Sequence, residues 1–201
     1  MTPGGVPAIT GVILAGGRGQ RMGGVDKGLI RLNGQALVSH VAARLAPQVA
    51  ELLINANQNG ATYAALGYRV IGDCIGGFAG PLAGLHAALA GARHRLVATA
   101  PCDSPFLPAD LVSRLWSALT ASRANIAIAR AGGRIHPVFC LCERTLLLPL
   151  SDFLARGERQ FGRFCATQKC VEVAFDDLSA AFENINTRAD LERLERPPPA
   201  S

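Results

Sequence analysis

The stretch Ile9-Thr10-Gly11-Val12-Ile13-Leu14-Ala15-Gly16-Gly17-Arg18-Gly19-Gln20-Arg21-Met22-Gly23-Gly24-Val25-Asp26-Lys27 decides how the chain folds. Residues 9–14 are a short apolar run of strand length, and the run ends in glycines. In open α/β sheets, ligands bind beyond the carboxyl ends of the strands, where such a loop would sit. Glycines allow backbone N–H groups to approach an anion closely, because no Cβ intervenes. Arg18, Arg21 and Lys27 add three cations, which makes a cradle suited to a triphosphate. The standard nucleotide fingerprints do not apply. A dinucleotide pattern begun at Gly17 meets Met22 where it needs glycine, and a P-loop pattern through Gly23 and Gly28 meets Leu29 where it needs lysine.

Working outward, apolar runs alternate with helical periodicity. Leu37, Val41 and Leu45 form one helix stripe that Pro47 closes. Residues 52–54 and 68–71 read as strands. Pro81 suits the first turn of a helix over 82–90. Residues 96–100 read as a strand halted by Pro101, and Pro108 as the start of a helix with Leu111, Leu115 and Leu119 on one face. Residues 126–129 and 138–141 flank Gly132-Gly133, which predicts an antiparallel excursion with a glycine turn. A helical stretch from 143 to about 154 and a strand over 171–175 follow. Thr187 to Asp190 has capping-box spacing ahead of Leu191 and Leu194. The alternation predicts an α/β protein: a three-layer α/β/α, mostly parallel, Rossmann-like sheet. Residues 1–196 are expected to be a single domain, with 197–201 a disordered tail.

Composition supports a folded domain and narrows its class. The 201 residues are 49% hydrophobic and only 17% charged, enough apolar material to bury roughly 70% of the unfolded surface. Mean hydropathy is +0.24, yet no run approaches a membrane span, and the start lacks the pattern of a secretory signal. A cytoplasmic protein is therefore expected, and its six cysteines read as buried reduced thiols. The net charge of +5 permits an acidic partner. Clustered basic runs and interleaved aromatics are missing, so nucleic acid is not the expected one.

Four ordered motifs carry a more specific signal. Leu14-Ala15-Gly16-Gly17 with Arg21-Met22-Gly23 and Lys27 resembles the entry loop of nucleotidyltransferases with a GT-A-like fold. The continuation Gly24-Val25-Asp26-Lys27-Gly28-Leu29 resembles the molybdenum cofactor guanylyltransferase family. Asn55-Ala56-Asn57, Gly80-Pro81-Leu82-Ala83-Gly84, Pro101-Cys102-Asp103-Ser104-Pro105 and Asn184-Ile185-Asn186-Thr187 extend the resemblance along nearly the whole chain.

Asp103, at a strand end, is of the type that binds Mg²⁺, and the resemblance implies that it is the metal ligand. The same resemblance implies that Leu14, Ala15, Gly16, Gly17, Asn55 and Asp73 contact the nucleotide, and that Asn186 returns to the site. Gly80, Pro81 and Leu82 open a helix whose N–H groups suit an anion. Lys27 and Arg21 would screen phosphate charge. By residue type alone, Asn55 and Asp73 read equally well as turn residues, and His136 as a turn histidine or part of the acceptor face. The implied reaction transfers GMP from GTP to molybdenum-molybdopterin, with transient contact to cofactor insertion or target enzymes. Two other readings share these features. One is a sister enzyme using CTP, or a sugar-phosphate or isoprenoid acceptor; the other is a GTP-binding or cofactor-carrier module without turnover.

Overall fold

A computed structural model of the chain describes residues 7–16, 26–75 and 80–195. Strand β1 (Ile9–Leu14) is followed by a small antiparallel ribbon, β2 (Arg31–Leu32) with β3 (Gln35–Ala36), and by helix α1 (Leu37–Leu45). Then come β4 (Glu51–Asn55), α2 (Gly60–Ala64), β5 (Arg69–Ile71), α3 (Pro81–Gly91), β6 (Leu96–Pro101) and α4 (Leu111–Ser122). The hairpin β7 (Ile126–Ala131) and β8 (Arg134–Glu143), helices α5 (Leu147–Ala155) and α6 (Phe161–Ala166), β9 (Cys170–Ala174) and α7 (Arg188–Glu195) complete the order. Gly17, Arg18, Arg21 and the tail at 197–201 lie outside the described residues.

The main sheet has seven strands in the order β5-β4-β1-β6-β8-β7-β9. β8 runs antiparallel to both its neighbours, while every other pairing is parallel. The excursion is the Gly132-Gly133 hairpin, where both glycines have positive φ, 55° and 71°. A two-residue turn of that kind needs left-handed backbone at both central positions, which glycine adopts without a steric penalty.

Alternating strand residues serve two cores, because successive side chains of a strand point to opposite faces. Ile9, Ile13, Ile54, Ala98 and Ala100 meet α1 and α4 on one face. Val12, Leu53, Val97, Ile128 and Cys140 meet α3, α5 and α6 on the other. The result is the three-layer α/β/α architecture. On α1, Leu37, Val41 and Leu45 are fully buried, each side chain contributing roughly 1.5–3 kcal/mol of transfer free energy. α3 is apolar almost all round, burying Leu82, Ala83, Leu85, Ala87, Ala88 and Leu89. It lies between the sheet and α5, and such enclosure is what an all-round apolar helix requires.

The structure differs from the sequence reading at several points. The helix expected from 143 begins at Leu147, because β8 runs from Arg134 to Glu143, longer than the 138–141 expected, and a 3-10 turn covers Arg144–Leu146. Helix α4 begins at Leu111 rather than at Pro108, because residues 108–110 form a turn in which Leu111 N donates to Pro108 O at 3.3 Å. Pro101 is the last residue of β6 rather than a stop before its end, paired with Leu14 at the parallel ladder's edge. His136 lies on β8 instead of in a turn, and its ring packs 5.3 Å from Phe182 and 6.2 Å from Phe139.

The chain runs β1, β4, β5 outward on one side of the sheet and returns through α3 to β6 on the other side of β1. The sequence of strands thus reverses between β1 and β6. A crevice opens beyond the carboxyl ends at such a reversal. Leu14 to Gly16 leave β1 there, and Cys102 to Ser104 leave β6 beside them.

Candidate nucleotide site

Two polar nodes flank the end of β1. The first gathers around Lys27, at the start of a short 3-10 turn over Lys27–Leu29. Its Nζ lies 3.3 Å from Asp103 Oδ2 and donates to Asn186 Oδ1 at 2.6 Å. Residues 76 and 159 positions away are thus drawn to one ammonium group. The turn itself is anchored by Asp26, whose Oδ1 accepts from Gly28 N at 3.2 Å and from the Tyr63 hydroxyl at 2.5 Å. Asn59 Nδ2 donates to the other carboxylate oxygen at 3.0 Å. Tyr63 is fully buried; burial, and then the bond to Asp26, push its hydroxyl far above the ordinary range.

Asp103 is 7% exposed. Burial pushes its carboxyl above the usual range, and the charge and hydrogen bond of Lys27 oppose that rise without cancelling it. The segment carrying Asn186 is fastened to the same strand end. Ile185 N donates to Asp103 O at 2.8 Å, and Ser104 Oγ donates to Asn184 Oδ1 at 2.7 Å. Behind it, α7 starts with reciprocal capping. Asp190 N donates to Thr187 Oγ1 at 3.1 Å, while Asp190 Oδ2 accepts from Thr187 N at 2.9 Å and Asn186 N at 3.1 Å. Cys102 is buried beside Asp103, and desolvation pushes its thiol above the ordinary cysteine range.

The second node lies on the other side of β1. Asn55, the last residue of β4, donates from Nδ2 to Asp73 Oδ1 at 2.9 Å. Asn57 donates to Asp73 Oδ2 at 2.7 Å and to Gly16 O at 3.4 Å, and its Oδ1 accepts from Asp73 N at 2.8 Å. Two glycines frame this cluster. A Cβ on Gly16 would lie 3.0 Å from Asn57 Nδ2, and one on Gly84 would lie 2.7 Å from Asn55 Oδ1. Backbone bonds from Ala15 N to Asn55 O (2.8 Å) and from Cys102 N to Leu14 O (3.2 Å) tie both nodes to the β1 exit.

Of the residues singled out from sequence, Lys27, Asp103 and Asn186 meet in the first node, and Gly16, Asn55 and Asp73 in the second. Leu14 and Ala15 link them. Gly80 takes a glycine-type backbone, φ 60° and ψ −148°, just ahead of α3. The helix-start reading narrows there. Pro81 has no N–H, Ala83 N already donates to Gly80 O at 3.1 Å, and the Leu82 side chain is wholly in the core. Among the described residues of this helix start, the backbone N–H groups of Gly80 and Leu82 are the ones an anion could use.

Sequence reasoning assigned no individual site role to Asn57, Asp26 or Tyr63. Asn57 carried a usable signal, since residues 55 and 57 of an extended chain share one side. Tyr63 carried none, because its 37-residue separation from Asp26 is closed only by folding.

A mostly parallel sheet with a cation–carboxylate node and an amide–carboxylate node beyond adjacent strand ends is the arrangement expected of a site that takes a phosphorylated ligand. A family described as the MobA-like NTP transferase domain matches residues 11–171. A molybdenum cofactor guanylyltransferase of Ralstonia nicotianae is 48% identical over 195 residues, spanning 92% of this chain and 95% of that protein. One from Yersinia pseudotuberculosis is 48% identical over 190 residues, spanning 94% and 96%. The chain belongs to the molybdenum cofactor guanylyltransferase family of nucleotidyltransferases.

The fold is shared more widely. The molybdopterin-guanine dinucleotide biosynthesis protein A of Archaeoglobus fulgidus superposes with a TM-score of 0.75 at 23% identity, covering 92% of this chain and 96% of its own. A 4-diphosphocytidyl-2C-methyl-D-erythritol synthase of Anaerococcus prevotii reaches 0.74 at 12% identity, covering 94% of each chain. Likeness at that level speaks for architecture alone.

Proposed function

We propose that the protein transfers GMP from GTP to the terminal phosphate of molybdenum-molybdopterin, giving molybdopterin guanine dinucleotide and pyrophosphate. The observation that carries this reading is the 48% identity to molybdenum cofactor guanylyltransferases over more than nine-tenths of the chain. We take residues 1–196 as one nucleotidyltransferase domain working in the cytoplasm. Among the described residues, no helix is long and apolar enough to cross a membrane.

In this scheme, an oxygen of the acceptor phosphate forms a bond to the α-phosphorus, and the bond from that phosphorus to the bridging oxygen breaks. Pyrophosphate leaves with the electron pair. The nucleophile is already anionic, so the protein's contribution is alignment and charge neutralisation rather than proton abstraction. Lys27 neutralises phosphate charge, a role that Arg21 of the glycine-rich sequence shares. Leu14, Ala15, Gly16 and Gly17 hold base and ribose through the backbone, and Asn55 and Asp73 complete the nucleotide contacts. The backbone groups at Gly80 and Leu82, preset by Pro81, face the same ligand.

The donor set suits a hard cation. Mg²⁺ commonly takes one or two carboxylates and fills its remaining positions from phosphates and water. The carboxylate of Asp103, with the amide oxygen of Asn186 sharing its Lys27 partner, provides such a set. Asp103 is the residue that would hold Mg²⁺, and the ion would supply charge neutralisation on the phosphate oxygens. Until it binds, Lys27 keeps the buried carboxylate paired.

The test is pyrophosphate release across GTP, CTP, ATP and UTP, with Mg²⁺, with and without molybdopterin carrying molybdenum. GTP-selective, acceptor-dependent release is expected. Strong CTP preference would replace the nucleotide assignment, and tight GTP binding without release under any condition would make the protein a carrier.

A further inference from the structure

We propose that Asn57 is a specificity-setting residue: it aims the Asp73 carboxylate so that it reads the Watson–Crick edge of guanine. The inference rests on the guanylyl-transfer reading above and adds the atom-level origin of base selectivity.

Asn57 grips residue 73 with both ends of its amide. Its oxygen accepts the backbone N–H of Asp73, and its nitrogen donates to Asp73 Oδ2. The Asn55 amide occupies the other carboxylate oxygen, Oδ1. With one donor on each oxygen, the carboxylate cannot swing about its terminal torsion, which is otherwise broad. The same Asn57 nitrogen reaches Gly16 O, so the grip also sets the distance between the Asp73 side chain and the β1 exit. Gly16 and Gly84 keep the space open: a side chain at either would displace Asn57 or Asn55.

A fixed carboxylate has lone pairs left on both oxygens and only accepts hydrogen bonds when ionised. Guanine offers two adjacent donors, N1–H and the N2 amino group, which match that pair. Cytosine offers one amino donor beside acceptors N3 and O2, which would face carboxylate oxygen and be repelled. Selectivity therefore depends on where the carboxylate points, and Asn57 determines that without needing to touch the base. Asn57 is exposed and sits outside both cores, so replacing it leaves the packing of the domain intact.

Inosine triphosphate separates this role from a structural one, because it differs from GTP only in lacking the N2 amino group. Affinities of GTP and ITP would be measured by calorimetry for wild type, Asn57→Ala and Asn57→Asp, alongside pyrophosphate release with the acceptor. Wild type is expected to prefer GTP over ITP by about tenfold, the worth of one hydrogen bond to a charged group. Asn57→Ala is expected to bring the preference to within about twofold, mainly by weakening GTP. Asn57→Asp keeps the backbone grip, which safeguards folding, but sets two carboxylates together; its preference is expected to collapse likewise. An unchanged GTP-to-ITP ratio in both variants, or equal losses for the two nucleotides, would overturn the proposal. The binding arm needs no acceptor. A wild type that binds GTP selectively but releases no pyrophosphate would count against the transfer reading and leave this inference standing.

Discussion

The two ends of the central sheet use the same side-chain chemistry to opposite effect. At the amino end of β4, Glu51 accepts from Thr10 Oγ1 at 2.8 Å and from Arg93 N at 3.1 Å. Arg69 and Arg93 lie 3.3 and 3.4 Å from its other oxygen. Burial works to raise that carboxyl, but the hydroxyl, the N–H and the two guanidinium groups outweigh it and hold the group below its ordinary value. At the carboxyl end of β6, Asp103 has one ion-pair partner among the described residues, Lys27, and burial prevails. A carboxylate surrounded by donors is finished and serves stability. One buried with a single ion-pair partner is left with coordination capacity, and a phosphate-bound cation can use it.

The comparison can be broken most directly at the undersupplied end. Asp103→Ala and Lys27→Ala are each expected to lower turnover by roughly 10²–10³-fold, the usual loss when one electrostatic contact to a reacting centre goes. Circular dichroism should stay close to wild type in both, while Lys27→Ala, which leaves the buried Asp103 carboxylate unpaired, should melt lower than Asp103→Ala. Wild-type turnover in either variant would remove that residue from the scheme.

Gly84→Ala sharpens the second node. Alanine favours helix over glycine by roughly 1 kcal/mol, so α3 should not weaken in itself. Its Cβ would fall 2.7 Å from Asn55 Oδ1 and push that amide off Asp73. The KM for GTP should therefore rise by about tenfold, with the far smaller change in kcat. An unaltered KM would separate Asn55 from nucleotide binding.

The smallest effect belongs to the finished end. Glu51→Gln should leave kcat and KM unchanged and cost about 1–2 kcal/mol of stability at neutral pH. A carboxyl held below its unfolded value stabilises the fold above that value, 4.5 here, and loses the contribution as pH falls further. Denaturant titrations of wild type and variant should thus converge below about pH 4.5. A constant difference across pH would mean that Glu51 acts through packing rather than charge.

Much of this arrangement was legible in the linear chain. The strand-then-glycine pattern at 9–17, the helix stripe of Leu37, Val41 and Leu45, and the Gly132-Gly133 turn are local, and local periodicity and backbone freedom are written in neighbouring residues. The Thr187–Asp190 cap was legible for the same reason. The start of α4 was not: proline fits the first turn of a helix, but equally the turn that precedes one, and the bond of Leu111 N to Pro108 O chose the turn. A helix start seen in sequence does not tell which of its side chains faces the core; the structure puts that of Leu82 there.

Sequence by itself determined the strand–helix alternation, the family and the residue types available for phosphate and cation chemistry, because these follow from composition, spacing and motif order. Only the tertiary structure decided which of those residues meet. Lys27 joins Asp103 and Asn186, Asp26 joins Tyr63, and Asn57 clasps Asp73. Each pairing spans between 16 and 159 residues, and it exists because the sheet brings three strand ends to one edge. Side-chain hydrogen bonds act over about 3 Å, so their partners are chosen by where the backbone stops rather than by how far apart the residues lie along it.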